Sequence, residues 1–169
     1  MHTQTTMPLP TLPAIAYPLA AKRNDETIGT RVWIDEYSFL LSLYYSSANG
    51  SPKFRLPDLI SACVSLVFLE SDPAQRIFIY LHTELILRDP DSARRQEEIW
   101  TPQYKLLLGL QRSPANRHPN PQFKLDHFTT ACIALVRVGQ APHSRIFEQA
   151  RRNTADRAAG KEPITQLHQ

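Results

Sequence analysis

Two stretches of the chain have nearly the same sequence, and this repeat limits how the chain can fold. Residues 54–67 are FRLPDLISACVSLV and residues 123–136 are FKLDHFTTACIALV. Aligning Trp33 with Trp100 sets an offset of 67 residues, which becomes 69 after a two-residue insertion in NRHPNP and gives 19 identities. The sequence therefore predicts an internally duplicated unit of roughly 50 residues.

Each copy of the unit predicts a short strand followed by helices. TRVWID (30–35) and EEIWT (97–101) are short and contain β-branched and aromatic residues, as strands do. Tyr37, Leu40, Leu41 and Tyr44 then recur with the spacing of one helix face. A second helix follows in each copy, and a third begins at a proline. We expect a mainly α-helical fold with one short two-stranded antiparallel ribbon, a pseudo-twofold strand–helix–helix(–helix) unit.

The two copies are expected to form one domain, because one unit alone cannot cover both its strand edges and its apolar helix faces. The predicted domain spans residues 29–158, with repeats 30–87 and 97–158 and a connector 88–96. Residues 1–28 are rich in proline without helical or strand periodicity, and predict a flexible arm. Residues 159–169 predict a flexible tail. A monomer suffices for this fold, since both copies lie on one chain.

The sequence predicts a cytoplasmic location without membrane insertion. Prolines at 8, 10, 13 and 18 interrupt the first 30 residues, so no secretory signal is visible. The apolar runs are shorter than the roughly 20 residues that a membrane span needs. In the cytoplasm Cys63 and Cys132 should be reduced thiols that act as small buried hydrophobes.

The charge of the chain is unevenly distributed. Residues 1–102 hold 9 Lys and Arg against 12 Asp and Glu, whereas residues 103–169 hold 10 against 4. The whole chain carries a net charge of +3. The basic second part indicates a polyanionic partner.

The order VWID, YSFLLSL, FRLPDLISACVSLV, together with the proline of WTPQ after the strand, resembles the ribbon–helix–helix family of DNA-binding proteins. The tandem arrangement resembles the single-chain ribbon–helix–helix proteins of conjugative DNA transfer, which bind border or origin regions as relaxosome accessory proteins. This resemblance covers roughly residues 30–138. It implies double-stranded DNA as the partner, a function in plasmid transfer, maintenance or transcriptional control, and further contacts with proteins of a DNA-transfer or partition complex.

The resemblance also implies that the ribbon enters the major groove with its outer face towards the bases. If Val32, Ile34 and Ile99 face the core, the outward residues are Arg31, Trp33, Glu98 and Trp100, with Gln96 a step further out. Arg31 is then suited to guanine and Gln96 to adenine. Alternatively, the two tryptophans lie in the core, as large aromatic residues usually do. The carboxylate of Glu98 disfavours DNA unless it accepts a hydrogen bond from cytosine.

Basic residues near helix starts are candidates for phosphate contacts. Arg55 and Lys124 each precede the second helix of a copy, where backbone N–H groups and the helix dipole favour an anion. The alternative is that both are ordinary solvated charges. The neighbouring loops add Lys53, Arg112 and Arg117 as candidates for backbone contacts.

The sequence argues against an enzyme. The chain has only 5 glycines and no glycine-rich phosphate loop, and it contains neither a His-x-x-x-His pair nor a Gly-x-Ser-x-Gly turn. We therefore expect no catalytic site, cofactor or metal. The rival hypothesis is a helical protein-interaction adaptor without DNA binding, and the salt dependence of DNA binding separates the two.

Overall fold

The computed structural model describes residues 24–117 and 122–167. The first half runs β1 (Thr27–Trp33), α1 (Ile34–Tyr44), α2 (Leu56–Leu69) and α3 (Pro73–Thr83). The second half runs β2 (Arg94–Trp100), α4 (Thr101–Gln111), α5 (Leu125–Arg137) and α6 (Pro142–Ala158). Short 3₁₀ turns lie at Leu85–Leu87 and Pro114–Asn116. The prediction of a mainly helical fold with a two-stranded antiparallel sheet is confirmed.

The two strands form an antiparallel ribbon in which Thr30 lies opposite Glu97. Ile28 lies opposite Ile99, and Ile99 is fully buried, so this face of the ribbon covers the core. Side chains one residue along each strand point to the other face. The ribbon therefore has one covered and one exposed face, which orients any site that it carries.

The second helix of each half packs on the strand of the other half. Thr130 in α5 accepts a hydrogen bond through Oγ1 from the backbone N–H of Trp33, across 3.1 Å. Ser61 in α2 accepts one through Oγ from the backbone N–H of Trp100, across 2.9 Å. α2 also packs along α6, and α5 packs against α3. The two halves are thus interlocked, and neither has a core of its own.

Helices α2 and α5 form the centre of this shared core. Almost every residue of α2 from Pro57 to Phe68 is buried, and Phe68 and Phe128 are among the largest side chains with no exposed surface. Burying a side chain of this kind stabilises the fold by about 1.5–3 kcal/mol. The interior around Cys63 and Cys132 is therefore apolar, and burial raises the pKa of both free thiols.

Prolines fix where several helices begin. Proline occupies the first turn of α2, α3, α4 and α6, where its missing N–H leaves no hydrogen bond unmade. Asp72 and Ala141, immediately before Pro73 and Pro142, adopt left-handed backbone conformations with φ of 51° and 45°. These two strained residues turn the chain sharply into α3 and α6.

Four predicted boundaries differ from the structure. Both strands begin three residues earlier than predicted, so Thr27 and Ile28 belong to the ribbon rather than to an arm, and Arg94 to the second strand rather than to the connector. Residues 1–23 of the predicted arm lie outside the described residues. Tail residues 159–167 contact the body, since Gln166 donates its N–H to the carbonyl of Phe68 and Leu167 packs against the core.

Candidate nucleic-acid interface

The exposed face of the ribbon carries charged and amide side chains. Arg31 lies directly opposite Gln96, and Gly29 lies opposite Glu98. All four residues are exposed. A Cβ added to Gly29 would lie 3.7 Å from Nε2 of Gln96, so the glutamine side chain extends over the bare glycine backbone. The face therefore presents one guanidinium, one amide and one carboxylate at alternate positions.

Two clefts flank this exposed face, one on each side of the ribbon. The first has a volume of about 560 Å³ and separates the ribbon from the start of α5. The second has a volume of about 590 Å³ and separates the ribbon from the start of α2. The first is lined by basic and amide side chains, including Arg31, Gln96, Gln111 and Lys124, and by the carboxylate of Asp126. The second is lined by aromatic and acidic side chains as well as a cation, including Tyr44, Tyr45, Arg55, Glu97 and Glu98.

Arg55 and Lys124 are the N-cap residues of α2 and α5, and both are exposed. The backbone N–H of Arg55 donates to Oδ2 of Asp58 across 2.9 Å. In α5 the backbone N–H of Lys124 donates to Nδ1 of His127, also across 2.9 Å. The N-cap amides are thus satisfied within the protein. An anion at either helix start would be held mainly by the side chains of Arg55 and Lys124.

Of the two alternatives for Trp33, the structure shows the one in which its side chain lies in the core, and the outward position is wrong. Its side chain is only 3% exposed and donates from Nε1 to Oδ2 of Asp126 across 3.1 Å. The guanidinium of Arg94 lies 3.9 Å from the centre of the indole. Trp33 is the residue immediately before α1, so the backbone turns into a helix there and the alternation of the strand ends.

Trp100 also does not project towards solvent as predicted, although it keeps some exposed surface. Its Nε1 donates to Oδ1 of Asp58 across 2.8 Å, and the guanidinium of Arg157 lies 3.8 Å from its ring centre. Ile34, predicted to face the core from a strand, is instead the half-buried first residue of α1. The two tryptophans hold the ends of the ribbon against α5 and α2.

The aspartates at the helix starts are neutralised by internal partners. Nε of Arg94 contacts Oδ2 of Asp126 at 3.1 Å, and Nη2 of Arg157 lies 3.6 Å from Oδ1 of Asp58. Burial opposes ionisation of Asp126, but His127, the Trp33 indole and Arg94 together lower its pKa. Asp126 therefore stays ionised near neutral pH. Asp126 lines the first cleft, where Trp33 and Arg94 hold its Oδ2 and Arg94 compensates its negative charge.

His127 is neutral in the folded protein near neutral pH. Burial lowers its pKa, and nearby Arg94 and Lys124 add to that effect while Asp126 opposes it. Nδ1 of the imidazole accepts the N–H of Lys124, so the ring proton lies on Nε2. Because protonated His127 cannot accept at Nδ1, the cap of α5 depends on the neutral ring.

The three basic loop residues predicted to contact DNA are all exposed: Lys53, Arg112 and Arg117. Nζ of Lys53 lies 4.4 Å from the ring centre of Tyr44, which lines the second cleft. Arg112 caps the end of α4 directly after Gln111, which lines the first cleft. Arg117 ends the 3₁₀ turn at Pro114–Asn116, and residues 118–121 beyond it lie outside the described part of the chain.

Several residues of this region were not identified from sequence. Tyr45 is 74% exposed at the rim of the second cleft, and Gln111 and Gln122 line the first. Arg94 and Arg157 were not expected to stack on the tryptophans. Only long-range packing brings these arginines to the indoles, so local spacing gave no signal for them. Asp58 and His127 did carry a signal, because a side-chain acceptor at the third helical position is typical of a capping box.

No three His, Cys, Asp or Glu side chains among the described residues come close enough together to hold a metal ion. None of the helices within residues 24–117 and 122–167 is long and apolar enough to span a membrane. Comparison of the chain with models of known families, with curated proteins and with solved structures gave no match.

Proposed function

We propose that the chain is a double-stranded DNA-binding protein that inserts its ribbon into the major groove. The observation that carries the proposal is the exposed Arg31–Gln96 pair on the ribbon, with an exposed cation at the helix start on each side, Lys124 and Arg55. A two-stranded ribbon fits the major groove of B-DNA, and side chains on one of its faces then meet base edges.

In this proposal the ribbon arises from an internal duplication with pseudo-twofold symmetry. Thr30 pairs directly with Glu97, and the two are 67 residues apart, as are Trp33 and Trp100. The strand register is therefore symmetric about the Thr30–Glu97 pair. The backbone N–H groups of Trp33 and Trp100 donate to Thr130 and Ser61, which occupy aligned positions. These matched contacts support the assignment to a single-chain ribbon–helix–helix arrangement.

The buried asparagines support the same duplication. Asn49 donates from Nδ2 to the carbonyls of Tyr44 and Phe54 and accepts the N–H of Phe54. Asn116 makes the same three bonds with Gln111 and Phe123. Every residue in the first set aligns with its counterpart in the second. The same three hydrogen bonds therefore close two loops of different length.

The residues on the ribbon have separate roles in base recognition. The guanidinium of Arg31 suits O6 and N7 of guanine, and the carboxamide of Gln96 suits N6 and N7 of adenine. The carboxylate of Glu98 accepts a hydrogen bond from N4 of cytosine, and it disfavours DNA without a cytosine at the base that it faces. Trp33 and Trp100 make no base contact in this mechanism, because their rings are covered by Arg94 and Arg157. They position the helix starts relative to the ribbon.

Phosphates on either side of the groove are bound by Arg55 and Lys124. These contacts orient the protein without carrying sequence information. Lys53, Arg112 and Arg117 add cations from the adjoining loops. The two sides differ, since Glu97 and Glu98 line the Arg55 cleft while the Lys124 cleft has Arg31. The Lys124 side therefore supplies more of the electrostatic attraction.

The process that this activity serves is proposed from the resemblance alone. A protein of this kind marks a DNA site in plasmid or conjugative transfer, in plasmid maintenance or in transcriptional control, where other proteins of a transfer or partition complex join it. The interlocked halves make one chain sufficient for binding. Two ribbons on two DNA sites would require an oligomer.

Fluorescence anisotropy with a labelled random-sequence duplex tests the proposal. The variant Arg31→Ala/Gln96→Ala removes both side chains from the ribbon face. The matched control Arg137→Ala/Gln140→Ala removes the same types of exposed side chain at and just after the last residue of α5, about 18 Å from its start. We expect the ribbon variant to bind at least tenfold more weakly and the control to bind within about twofold of the wild type. Absence of wild-type binding at low salt would refute the proposal and leave the protein-interaction adaptor.

A further inference from the structure

An apolar groove of about 620 Å³ lies between α3 and the end of α4. Its walls are formed mainly by Ala74 and Phe78 of α3, Gly109 and Leu110 of α4, and Pro114 and Ala115 beyond it. Leu167 from the C-terminal segment also lines it. An apolar pocket of this volume is typical of a binding site.

The residues that line the groove are less polar than those aligned with them in the other half of the chain. The positions aligned with Ala74, His82 and Gly109 in the other half are His143, Arg151 and Ser42. Polar and charged residues thus occupy the equivalent place beside α1 and α6. Phe78, Leu110 and Ala115 align with the apolar Phe147, Leu43 and Ala48, so the two places share these apolar positions and the α3–α4 side is the less polar of the two.

The first described residues run along α4 towards this groove. The carbonyl of Glu26 accepts the N–H of Thr101 at the start of α4, across 2.9 Å. One turn further on, Nζ of Lys105 donates to Oδ1 of Asn24 across 3.2 Å. Gly109 lies a further four residues along the same helix, about 6 Å away along its axis. Asn24 thus lies beside the part of α4 that leads to the groove.

A second contact fixes this direction. Nδ2 of Asn24 donates to Oε2 of Glu162 across 2.7 Å. Glu162 belongs to the segment that continues to Leu167 in the groove wall. Asn24 is therefore held between α4 and the C-terminal segment, and both of these lead to the groove.

The preceding sequence is chemically suited to the groove. Residues 14–21 are AIAYPLAA, without a charged side chain. A residue that precedes proline, as Tyr17 does, favours an extended backbone, and alternate side chains of an extended chain point the same way. Ile15, Tyr17 and Leu19 would then form one apolar edge. The five residue steps from Asn24 back to Leu19 can span about 16 Å at about 3.3 Å each, which exceeds the rise of about 6 Å from Lys105 to Gly109.

We propose that residues 15–19 bind in the α3–α4 groove, with Ile15, Tyr17 and Leu19 against its apolar walls. The groove is thus an intramolecular docking site for the N-terminal segment. Docking also covers the partly exposed Phe78. The proposal is independent of DNA binding, because it rests on the groove and on the course of residues 24–26.

Disulfide trapping in the full chain tests this docking. Gly109→Cys is combined in turn with Ile15→Cys, Tyr17→Cys, Leu19→Cys or the distant Met7→Cys. A Cβ at Gly109 meets no atom within 4 Å, so the substitution has room, and thermal melting checks that each variant folds. Cys63 and Cys132 are fully buried and do not compete. A bridge requires Cα atoms within about 7 Å, which only a docked segment provides.

We expect monomeric bridges at one or more of positions 15, 17 and 19 in several-fold higher yield than at position 7. Ser42→Cys, at the aligned place in the other half, serves as the matched control and should give only the background yield. Equal yields at all N-terminal positions would overturn the proposal. Bridged dimers at the expense of monomers would overturn it too, because the occupant would then come from a second copy.

Hydrogen exchange gives a second test without new cysteines. Ile15→Asp/Leu19→Asp should undock the segment and raise deuterium uptake in the peptide that contains Phe78. Met7→Asp should leave that uptake unchanged. Identical uptake in the wild type and the double variant would contradict docking.

Discussion

Trp100 donates a hydrogen bond from Nε1 of its indole to Oδ1 of Asp58, across 2.8 Å. Asp58 lies in the first turn of α2, so this bond joins the end of β2 to a helix of the other half. At the opposite end of the ribbon, Trp33 makes the corresponding bond to Asp126 in α5. Each indole is also covered by an arginine. The two tryptophans thus fix the separation between the ribbon and the helix starts.

Removing the indole N–H of Trp33 should destabilise the fold. We expect Trp33→Phe to lower the free energy of unfolding by about 2 kcal/mol, because the buried carboxylate of Asp126 loses the indole donor and keeps only Arg94. Trp100→Phe should cost about half as much, since Trp100 is only half-buried. Urea unfolding measures both. Tyr45→Phe, at a 74% exposed aromatic residue, is the control. If Trp33→Phe lowers the free energy of unfolding no more than this control does, the indole hydrogen bond does not stabilise the fold.

The two buried asparagines should contribute equally if the halves are equivalent. Asn49→Ala and Asn116→Ala each remove three hydrogen bonds and leave buried backbone groups unpaired. We expect each to lower the free energy of unfolding by about 2–3 kcal/mol. Ser47→Ala, at an exposed position beside Asn49, should change it by less than about 0.5 kcal/mol. A large cost at one asparagine and none at the other would argue against matched loops.

Protonation of His127 should weaken the fold below neutral pH. Its pKa is lowered in the folded state by burial, so above about 6.5 the ring is neutral in both states and adds no pH dependence. As the pH falls below that value, the unfolded chain binds the proton first, and the free energy of unfolding decreases until the folded-state pKa is passed. Urea unfolding between pH 7.5 and 5.5 measures the slope.

His127→Gln should flatten this slope, because glutamine at the third helical position can still accept the N–H of Lys124 but does not titrate. His143→Gln, at an exposed histidine, is the control and should keep the wild-type slope. If His127→Gln leaves the pH dependence unchanged, the imidazole is not the group responsible.

Removing the charge of Glu98 should strengthen binding to random DNA. The carboxylate lies exposed on the ribbon face, where it accepts from the hydroxyl of Thr27. One charge facing a phosphate across water is worth about 1 kcal/mol at close range, so Glu98→Gln should raise the affinity about fivefold. Glu148→Gln on α6, also exposed, should have no such effect. Unchanged affinity for Glu98→Gln would place this residue away from the DNA.

The sequence predicted the element order because the repeat separates the residues that carry the fold from those that do not. The apolar positions of α2 and α5 are nearly all buried as expected. The strand starts were missed because RRQE at 94–97 has no apolar alternation, and it becomes a strand only by pairing with β1. Alternation also failed at Trp33 and Trp100, since each is the last strand residue before a helix.

The candidate site was predictable where a residue's role depends on local position. Arg55 and Lys124 precede helices in sequence and are N-caps in the structure. Arg31 and Gln96 follow from strand alternation, and both are exposed. The coverage of the tryptophans by Arg94 and Arg157 was not predictable, because it depends on how α5 and α6 cross the ribbon ends.

The most direct test of the central claim is the salt dependence of DNA binding. Anisotropy with a random-sequence duplex is measured across a salt series for the wild type and for Arg55→Ala/Lys124→Ala. Each lost phosphate contact should reduce the slope of log K against log salt by about 0.9, so the double variant should lose about 1.8. Wild-type binding with that reduction supports ribbon insertion with a cation on each side. Binding with an unchanged slope, or no binding at low salt, would contradict it.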